Sequence, residues 1–193
     1  MTYRLLLASA SPRRRELIKY LGLDFECISV DADETHEEAT PSEAAMEIAS
    51  KKARACAGLR EISENEIIIG ADTTVVLGDK ILGKPKNRAD AFITLKELSG
   101  RTHQVYTGVC LIHKKAGILR EKCFFEVTDV TFAELSDDET DAYLDINEYA
   151  DKAGSYAIQG VFSRHISGIR GDYNNVVGLP VARLYKELHE LTG

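Results

Sequence analysis

The run Ile67-Ile68-Ile69-Gly70-Ala71 constrains the fold more than any other stretch of this sequence. Consecutive β-branched residues are typical of a central strand. Residues 74–77 continue the apolar pattern, the pair Gly78-Asp79 predicts a tight turn, and residues 80–82 predict a returning strand. At 193 residues, the chain is long enough to bury a substantial core around this strand.

Strands and helices alternate on both sides of this run. Further strands are predicted at residues 4–8 and 25–30 and in a hairpin of residues 102–113 and 118–132. Helices are predicted over residues 12–21, 40–56 and 88–98, from Ser136, and from Pro180 to the C-terminal region. This order indicates an α/β fold in which helices flank a mixed central sheet. We expect residues 1–193 to form a single domain with a cleft between two lobes.

Composition excludes several classes of protein. A formal net charge of −7 argues against general nucleic-acid binding, which depends on a basic surface. No apolar stretch approaches the length of a membrane span, and arginines follow the apolar run at residues 5–8 rather than precede it, unlike a signal peptide. We therefore expect a cytoplasmic protein without a membrane partner. The four cysteines form no CxxC pair and are expected to be reduced thiols.

The first predicted helix begins with an unusual cluster of arginines. Ser11 fits the N-cap position, Pro12 fits the first helical position, and residues 13–15 are all arginine. Arginine is unfavourable there because a helix N-terminus already carries positive partial charge, so a bound anion is expected to offset it. Amides, hydroxyls and guanidinium groups together suit a phosphate. The alternative is a solvated basic turn.

Acidic and basic residues elsewhere suggest metal and phosphate contacts. Asp72 follows the apolar run, where a carboxylate is placed to bind a metal or act as a general base, although a turn aspartate is the alternative. Lys84 and Lys86 follow the returning strand and suit either phosphate or solvent. The acidic segment 31–38 offers hard oxygen ligands for Mg²⁺, or is a solvated loop.

An amide side chain offers a way to recognise a base. Gln159 lies in the small-residue segment 154–160, and its amide both donates and accepts hydrogen bonds, as reading a base edge requires. A surface glutamine is the alternative. The sequence lacks a P-loop, a GxGxxG motif after a strand, a GxSxG elbow, and histidines at zinc-ligand spacing. A P-loop nucleotide site, a Rossmann dinucleotide site, a serine hydrolase triad and a zinc site are therefore not expected.

Six motifs in this order resemble the Maf family of nucleoside triphosphate pyrophosphatases over nearly the whole chain. They lie at residues 7–14, 70–73, 82–85, 99–109, 151–160 and 175–180. The resemblance implies a Maf-like fold, related in architecture to inosine triphosphate pyrophosphatases. It also implies hydrolysis of a nucleoside triphosphate to the monophosphate and pyrophosphate with a divalent metal, Mg²⁺ or Mn²⁺.

The resemblance also implies roles for particular residues. Asp72 matches the proton acceptor and a metal ligand, and Glu34 falls where relatives carry an acidic metal-site residue. Thr73 and Gln159 resemble the branch that prefers dTTP and UTP, and Gln159 would read the pyrimidine. The remaining contacts, which would hold the phosphates, are Ser9, Ser11, Arg13, Arg14 and Lys84. Arg13 is also linked to substrate choice.

Two other functions remain open at this point. An inosine or xanthosine triphosphate pyrophosphatase has a similar architecture and reaction but takes deaminated purines. A regulator of cell division would use the nucleotide site for binding instead of turnover, as the effect on septum formation in the family's name suggests. The expected partner is in each case a small nucleotide, with no nucleic acid, and relatives suggest a homodimer.

Overall fold

The run at residues 67–71 forms part of a long strand, as predicted. The structure is a computed structural model and describes residues 3–35 and 40–192. The strands are β1 (Arg4–Ala8), β2 (Phe25–Cys27), β3 (Glu66–Leu77), β4 (Lys80–Leu82), β5 (Thr102–Lys115), β6 (Ile118–Phe132) and β7 (Ile166–Arg170). The helices are α1 (Pro12–Ile18), α2 (Pro41–Leu59), α3 (Arg88–Leu98), α4 (Asp137–Leu144), α5 (Tyr173–Val177) and α6 (Val181–Thr192).

The strands form a mixed sheet in the order β2-β1-β3-β5-β6-β7, and β4 pairs with β3. β1 pairs in parallel with both β2 and β3, in a register that sets Leu7 beside Cys27 on one side and Ile69 on the other. β4 is antiparallel to β3, and β7 is antiparallel to β6. The prediction of a mixed α/β fold with a central sheet is therefore confirmed.

The chain divides into two compact units. Unit 1 comprises Met1–Asp72, Thr107–Glu126 and Gly178–Gly193. Unit 2 comprises Thr73–Tyr106 and Val127–Val177.

In unit 1, two glycines allow helix α2 to pack directly on the strands. A Cβ atom at Gly70 would lie 2.1 Å from the carbonyl oxygen of Ala49, and one at Gly108 would lie 2.4 Å from that of Ala45. Any side chain would therefore push the helix away. Because α2 is seated this closely, its alanines pack with apolar strand residues in a core that includes Leu6, Ile68 and Cys110.

In unit 2, the core is a group of packed aromatic rings around a buried histidine. The His103 ring contacts Phe132 edge-to-face at 4.8 Å, and its Nε2 lies 2.8 Å from the hydroxyl oxygen of Tyr156. Phe162 packs against Phe132 and Tyr143 at 4.8 and 4.7 Å. Burial lowers the pKa of His103 to about 4, despite the opposing effect of a nearby carboxylate, so this ring is neutral at pH 7.

Some predicted boundaries need correction. Strand β2 ends at Cys27, whereas the apolar pattern predicted a strand to residue 30. The first helix ends at Ile18, and residues 19–21 continue as a single 3-10 turn before Gly22 at φ 67°. The sequence analysis missed β7 and α5, which are both only five residues long. Such short elements carry too few residues to show a hydrophobic period.

Within the described residues, no helix combines the length and the apolar character that crossing a membrane requires.

Candidate active site

Asp72 lies within strand β3 and forms an ion pair with a lysine of helix α2. Its Oδ1 is 2.7 Å from Nζ of Lys52, and the two side chains are only 16% and 12% exposed. Strand β3 continues through residue 77, so the alternative of a turn aspartate is wrong. In this partly buried pair, each charge is stabilised mainly by its partner rather than by water.

The same lysine also contacts the acidic segment that precedes α2. Nζ of Lys52 lies 2.8 Å from Oε1 of Glu34, whose side chain is 51% exposed. The neighbouring Asp33 is engaged locally instead, because its carboxylate accepts hydrogen bonds from the hydroxyl and amide of Thr35 at 2.6 and 2.9 Å. These bonds lower the pKa of Asp33. Residues 36–38 of the predicted acidic segment lie outside the described residues.

Glu34 and Asp72 therefore each direct a carboxylate oxygen at the ammonium group of Lys52. Hard oxygen donors of this kind are the ligands that Mg²⁺ and Mn²⁺ prefer. The ammonium group of Lys52 lies between them at hydrogen-bond distance from each. The two carboxylates are donors of the kind that the expected divalent metal prefers.

The serines of the N-terminal motif organise the start of helix α1. The hydroxyl of Ser11 accepts a hydrogen bond from the amide of Arg14 at 3.4 Å, as an N-cap residue does. The hydroxyl of Ser9 accepts a bond from the amide of Ser11 at 3.2 Å. Ser9 is nearly buried, directly after strand β1. Both hydroxyls thus lie where the strand turns into the helix.

The three arginines of this turn have different environments. Nε of Arg14 donates a hydrogen bond of 2.8 Å to the carbonyl oxygen of Gly178. Burial lowers the pKa of Arg14 and the charge of Arg13 adds to this effect, while the carboxylates of Asp72 and Glu34 oppose it. Arg14 therefore belongs to the same charge cluster as the two carboxylates. Arg13 is half-buried, whereas Arg15 is exposed.

The other three predicted site residues belong to unit 2. Thr73 is half-buried in strand β3, whereas the side chains of Lys84 and Gln159 are exposed. The segments that carry them are tied together, because the amide of Gly154 donates a 3.2 Å bond to the carbonyl of Gly83. Gly154, at φ 71°, also approaches β3 so closely that its Cβ would lie 2.9 Å from Val75.

Lys52 is the one residue of this cluster that the sequence analysis did not assign to the site. The signal was present in the helical pattern, because Lys52 lies near the face that carries Ala45, Ile48 and Ala49. A lysine near the apolar face of a helix needs a partner when that face is buried. Only the structure shows that the partner is the carboxylate pair.

The arrangement in unit 1 combines three cationic side chains, two carboxylates and two serine hydroxyls. Arginine and lysine bind phosphate oxygens, and the N-terminus of α1 adds positive partial charge. A carboxylate beside these cations can accept a proton from water while the cations offset developing negative charge. This cluster is therefore suited to hydrolysis of a phosphoric anhydride.

The family model described as Maf-like protein matches residues 4–191, and the chain therefore belongs to this family. Several relatives named dTTP/UTP pyrophosphatase are similar over almost their full length. The one from Agathobacter rectalis is 47% identical over 97% of each chain. That from Thermoanaerobacter sp. (strain X514) is 48% identical over 94% of this chain and 93% of its own. That from Bacillus anthracis is 46% identical over 97% of this chain and 95% of its own.

A solved structure, protein VC0702 from Vibrio cholerae, has a TM-score of 0.34 at 13% identity, over 64% of this chain and 64% of that chain. A similarity this weak supports no conclusion about the fold or the site.

Proposed function

We propose that this protein is a nucleoside triphosphate pyrophosphatase that hydrolyses dTTP and UTP to the nucleoside monophosphate and pyrophosphate. The observation that carries the proposal is the pair of carboxylates, Asp72 and Glu34, that share the ammonium of Lys52 in the same charge cluster as Arg14. The full-length relatives named dTTP/UTP pyrophosphatase support the choice of substrate.

In the proposed reaction, a water molecule attacks the α-phosphorus and the bond between this phosphorus and the bridging oxygen to the β-phosphorus breaks. The oxygen of the water stays on the nucleoside monophosphate, and pyrophosphate leaves. Asp72 accepts the proton from the attacking water. A carboxylate can accept this proton, while the neighbouring cations separately stabilise the charge that develops on the phosphates.

The phosphates are held by Ser9, Ser11, Arg13, Arg14 and Lys84. Arg13, at the helix N-terminus, contacts the substrate directly, because Arg14 already donates to the carbonyl of Gly178 and mainly orients the site. Lys84 acts as a point charge on the phosphates. Neutralising the leaving pyrophosphate is the main contribution of these cations.

Glu34 and Asp72 are the residues that would hold Mg²⁺ or Mn²⁺. When bound, such an ion neutralises phosphate charge and lowers the pKa of a coordinated water. Lys52 balances the two carboxylates and keeps their oxygens directed at a common point.

Gln159 and Thr73 carry the base preference in this proposal. The exposed amide of Gln159 has a donor and an acceptor to match the edge of a pyrimidine. We further propose that residues 1–193 act as a single Maf-like domain, in the cytoplasm, as a homodimer. The free thiols support a reducing compartment, the net charge of −7 supports a partner other than nucleic acid, and the family resemblance supports the dimer.

The experiment is to measure pyrophosphate release from a panel of nucleoside triphosphates with Mg²⁺ or Mn²⁺. The panel includes dTTP, UTP, CTP, ITP, 7-methyl-GTP and modified uridine triphosphates. We expect the highest kcat/KM with dTTP and UTP. A preference for ITP would instead indicate the purine type of pyrophosphatase. Tight nucleotide binding without pyrophosphate release would indicate a regulator.

A further inference from the structure

Two of the four cysteines lie side by side on the β5–β6 hairpin of unit 1. Cys110 in β5 is buried, Cys123 in β6 is exposed, and both are free thiols. Their Sγ atoms and a carboxylate oxygen of Glu121 all lie within 4.8 Å of one another. The proposed hydrolysis uses none of these three residues, so the cluster needs a separate explanation.

The turn of the hairpin sets the two cysteines opposite each other. Ala116 and Gly117 are its only residues and have φ of 53° and 77°, as in a type I′ turn. The residues flanking such a turn form a hydrogen-bonded pair, and opposed pairs then alternate between hydrogen-bonded and non-hydrogen-bonded types. Counted from the turn, Cys110 and Cys123 form a non-hydrogen-bonded pair, whose Cα atoms are about 4.5 Å apart.

This pairing meets the requirements of a disulfide bond. Cα separations of about 4.4–6.8 Å are compatible with a disulfide, and opposed residues project their side chains on the same face of the hairpin. We propose that Cys110 and Cys123 form a reversible cross-strand disulfide when the protein meets a small disulfide oxidant such as oxidised glutathione.

A metal site is the competing use of the same three residues, and the surroundings of Glu121 disfavour it. Oε1 accepts a 2.6 Å bond from Ser50, and Oε2 lies 2.8 Å from Nε of Arg54, so both carboxylate oxygens already have hydrogen-bond partners. Burial alone would raise the pKa of Glu121, but bonds from Arg54, Ser50 and the two thiols outweigh it and lower this pKa to about 2. Among the described residues, this cluster also offers only three potential metal ligands, whereas a structural zinc site has four.

The proposed oxidation proceeds in two exchange steps. The exposed Cys123 reacts first, as a thiolate that attacks one sulfur of oxidised glutathione and releases one molecule of glutathione. The Cys110 thiolate then attacks Sγ of Cys123 and releases the second. In sum, two protein thiols lose two electrons and two protons, and one oxidant disulfide becomes two glutathione thiols.

The second step is expected to be slow and to accelerate as pH rises. The hydrogen bond with Cys123 and burial both raise the pKa of Cys110, and the Glu121 carboxylate adds to this effect. The thiolate is the form that attacks a disulfide, so its small fraction limits the rate. The proximity of the two sulfurs compensates for this small thiolate fraction, because the second step takes place within one molecule.

The test is peptide mapping of the full-length protein after incubation with oxidised glutathione. Free thiols are blocked with N-ethylmaleimide, and the protein is digested with trypsin without reductant and analysed by mass spectrometry. We expect peptide 102–114 to be linked to peptide 123–152, with the link lost after reduction. Cys27→Ser serves as the matched control and should form the same link.

Two variants separate the steps. Cys110→Ser should leave glutathione attached to Cys123, because no second thiol remains to displace it. Cys123→Ser should leave Cys110 free of glutathione, because Cys110 is buried. The proposal is overturned if the wild-type protein keeps glutathione on Cys123 with Cys110 still reduced, if it links Cys123 between two molecules, or if neither cysteine is oxidised. The readout is independent of any nucleotide hydrolysis.

Discussion

The ammonium nitrogen of Lys52 lies 2.7 Å from Oδ1 of Asp72, which joins helix α2 to strand β3 at the centre of the candidate active site. The same nitrogen lies 2.8 Å from Glu34, so one cation neutralises two carboxylates. One lysine thus holds the acidic segment before α2 against strand β3, and its charge offsets the repulsion between the two carboxylates.

Asp72→Asn should lower the rate of pyrophosphate release from dTTP by about 10²–10⁴-fold, the usual contribution of a general base. The amide has the same shape but cannot accept the proton. Steady-state kinetics with dTTP measures the loss, and a thermal melt checks that the variant is folded. Asp79→Asn, in the tight turn after β3, is the matched control and should keep wild-type turnover. Near wild-type activity of Asp72→Asn would rule out the assignment of the base.

Lys52→Met should destabilise the metal-free protein by about 2 kcal/mol at neutral pH, because it leaves the partly buried carboxylate of Asp72 without its cation. Addition of Mn²⁺ should then raise the melting temperature of this variant more than that of the wild type. Thermal melts with and without Mn²⁺ measure both effects.

The matched control for Lys52→Met is Lys19→Met in unit 1. Lys19 pairs with Glu16 at 2.7 Å and is no part of the carboxylate pair, so its removal should leave the Mn²⁺ response as in the wild type. An equal Mn²⁺ response in all three proteins would contradict the metal site at Glu34 and Asp72.

Gly70→Ala should destabilise the protein by about 3 kcal/mol or more, as overpacking against backbone does. The new methyl group would lie 2.1 Å from the carbonyl oxygen of Ala49, so α2 must shift and carry Lys52 with it. Urea unfolding measures the change. The matched control is Gly58→Ala in helix α2. A Cβ atom at Gly58 meets no atom within 4 Å, so this substitution should instead stabilise the protein by about 0.5–1 kcal/mol. Equal effects of the two substitutions would contradict the close helix–strand packing.

Buried His103 should make the protein less stable in mild acid. Its pKa is lowered from 6.5 to about 4, so below pH 6.5 the unfolded chain binds a proton that the folded protein does not. The contribution of neutral His103 to the free energy of unfolding is therefore fully present above pH 6.5 and is lost as the pH falls toward 4. The expected loss is about 2 kcal/mol at pH 5.

Urea unfolding between pH 7.5 and 5 measures the effect of His103. His103→Gln can still bond to the Tyr156 hydroxyl but does not titrate, so its free energy of unfolding should change less over this range. Other groups contribute equally in both proteins, and the difference between the two slopes isolates the histidine. Parallel slopes would show that His103 is protonated in the folded protein.

Gln159→Ala should reduce the discrimination between UTP and CTP by about tenfold, because the two bases differ in the donors and acceptors that an amide can match. The ratio of kcat/KM for the two nucleotides measures this effect. A substitution that lowers both values equally and leaves the ratio unchanged would assign Gln159 to general binding rather than to base recognition.

Regular elements with strong local signals were predictable from the sequence. Helix α3 and strand β6 have the predicted bounds, and the capping box at Ser136 and Glu139 is present. Each depends on residues close together in the chain: a periodic apolar face, a cap, or a short hairpin connection. Strand β2 was predicted too long, because the apolar pattern continues to Val30 beyond the residues that pair with β1.

The candidate site was predictable only in part. Local patterns indicated Asp72, the serines and the arginines, and the family resemblance added roles for Glu34, Thr73 and Gln159. The part played by Lys52 was not predictable, because its partners lie 18 and 20 positions away on other elements. The hydrogen bond from Arg14 to the carbonyl of Gly178 was not predictable either, because the two residues are far apart in the sequence.

By itself, the sequence determined the elements, the order in which they alternate and the residue types available for chemistry, because capping, turn formation and amphipathic periodicity act over a few neighbouring residues. Only the tertiary structure decided which charges pair. Those contacts depend on how closely α2 packs at Gly70 and Gly108. Such distances arise from the packing of residues far apart in the chain, and no local pattern encodes them.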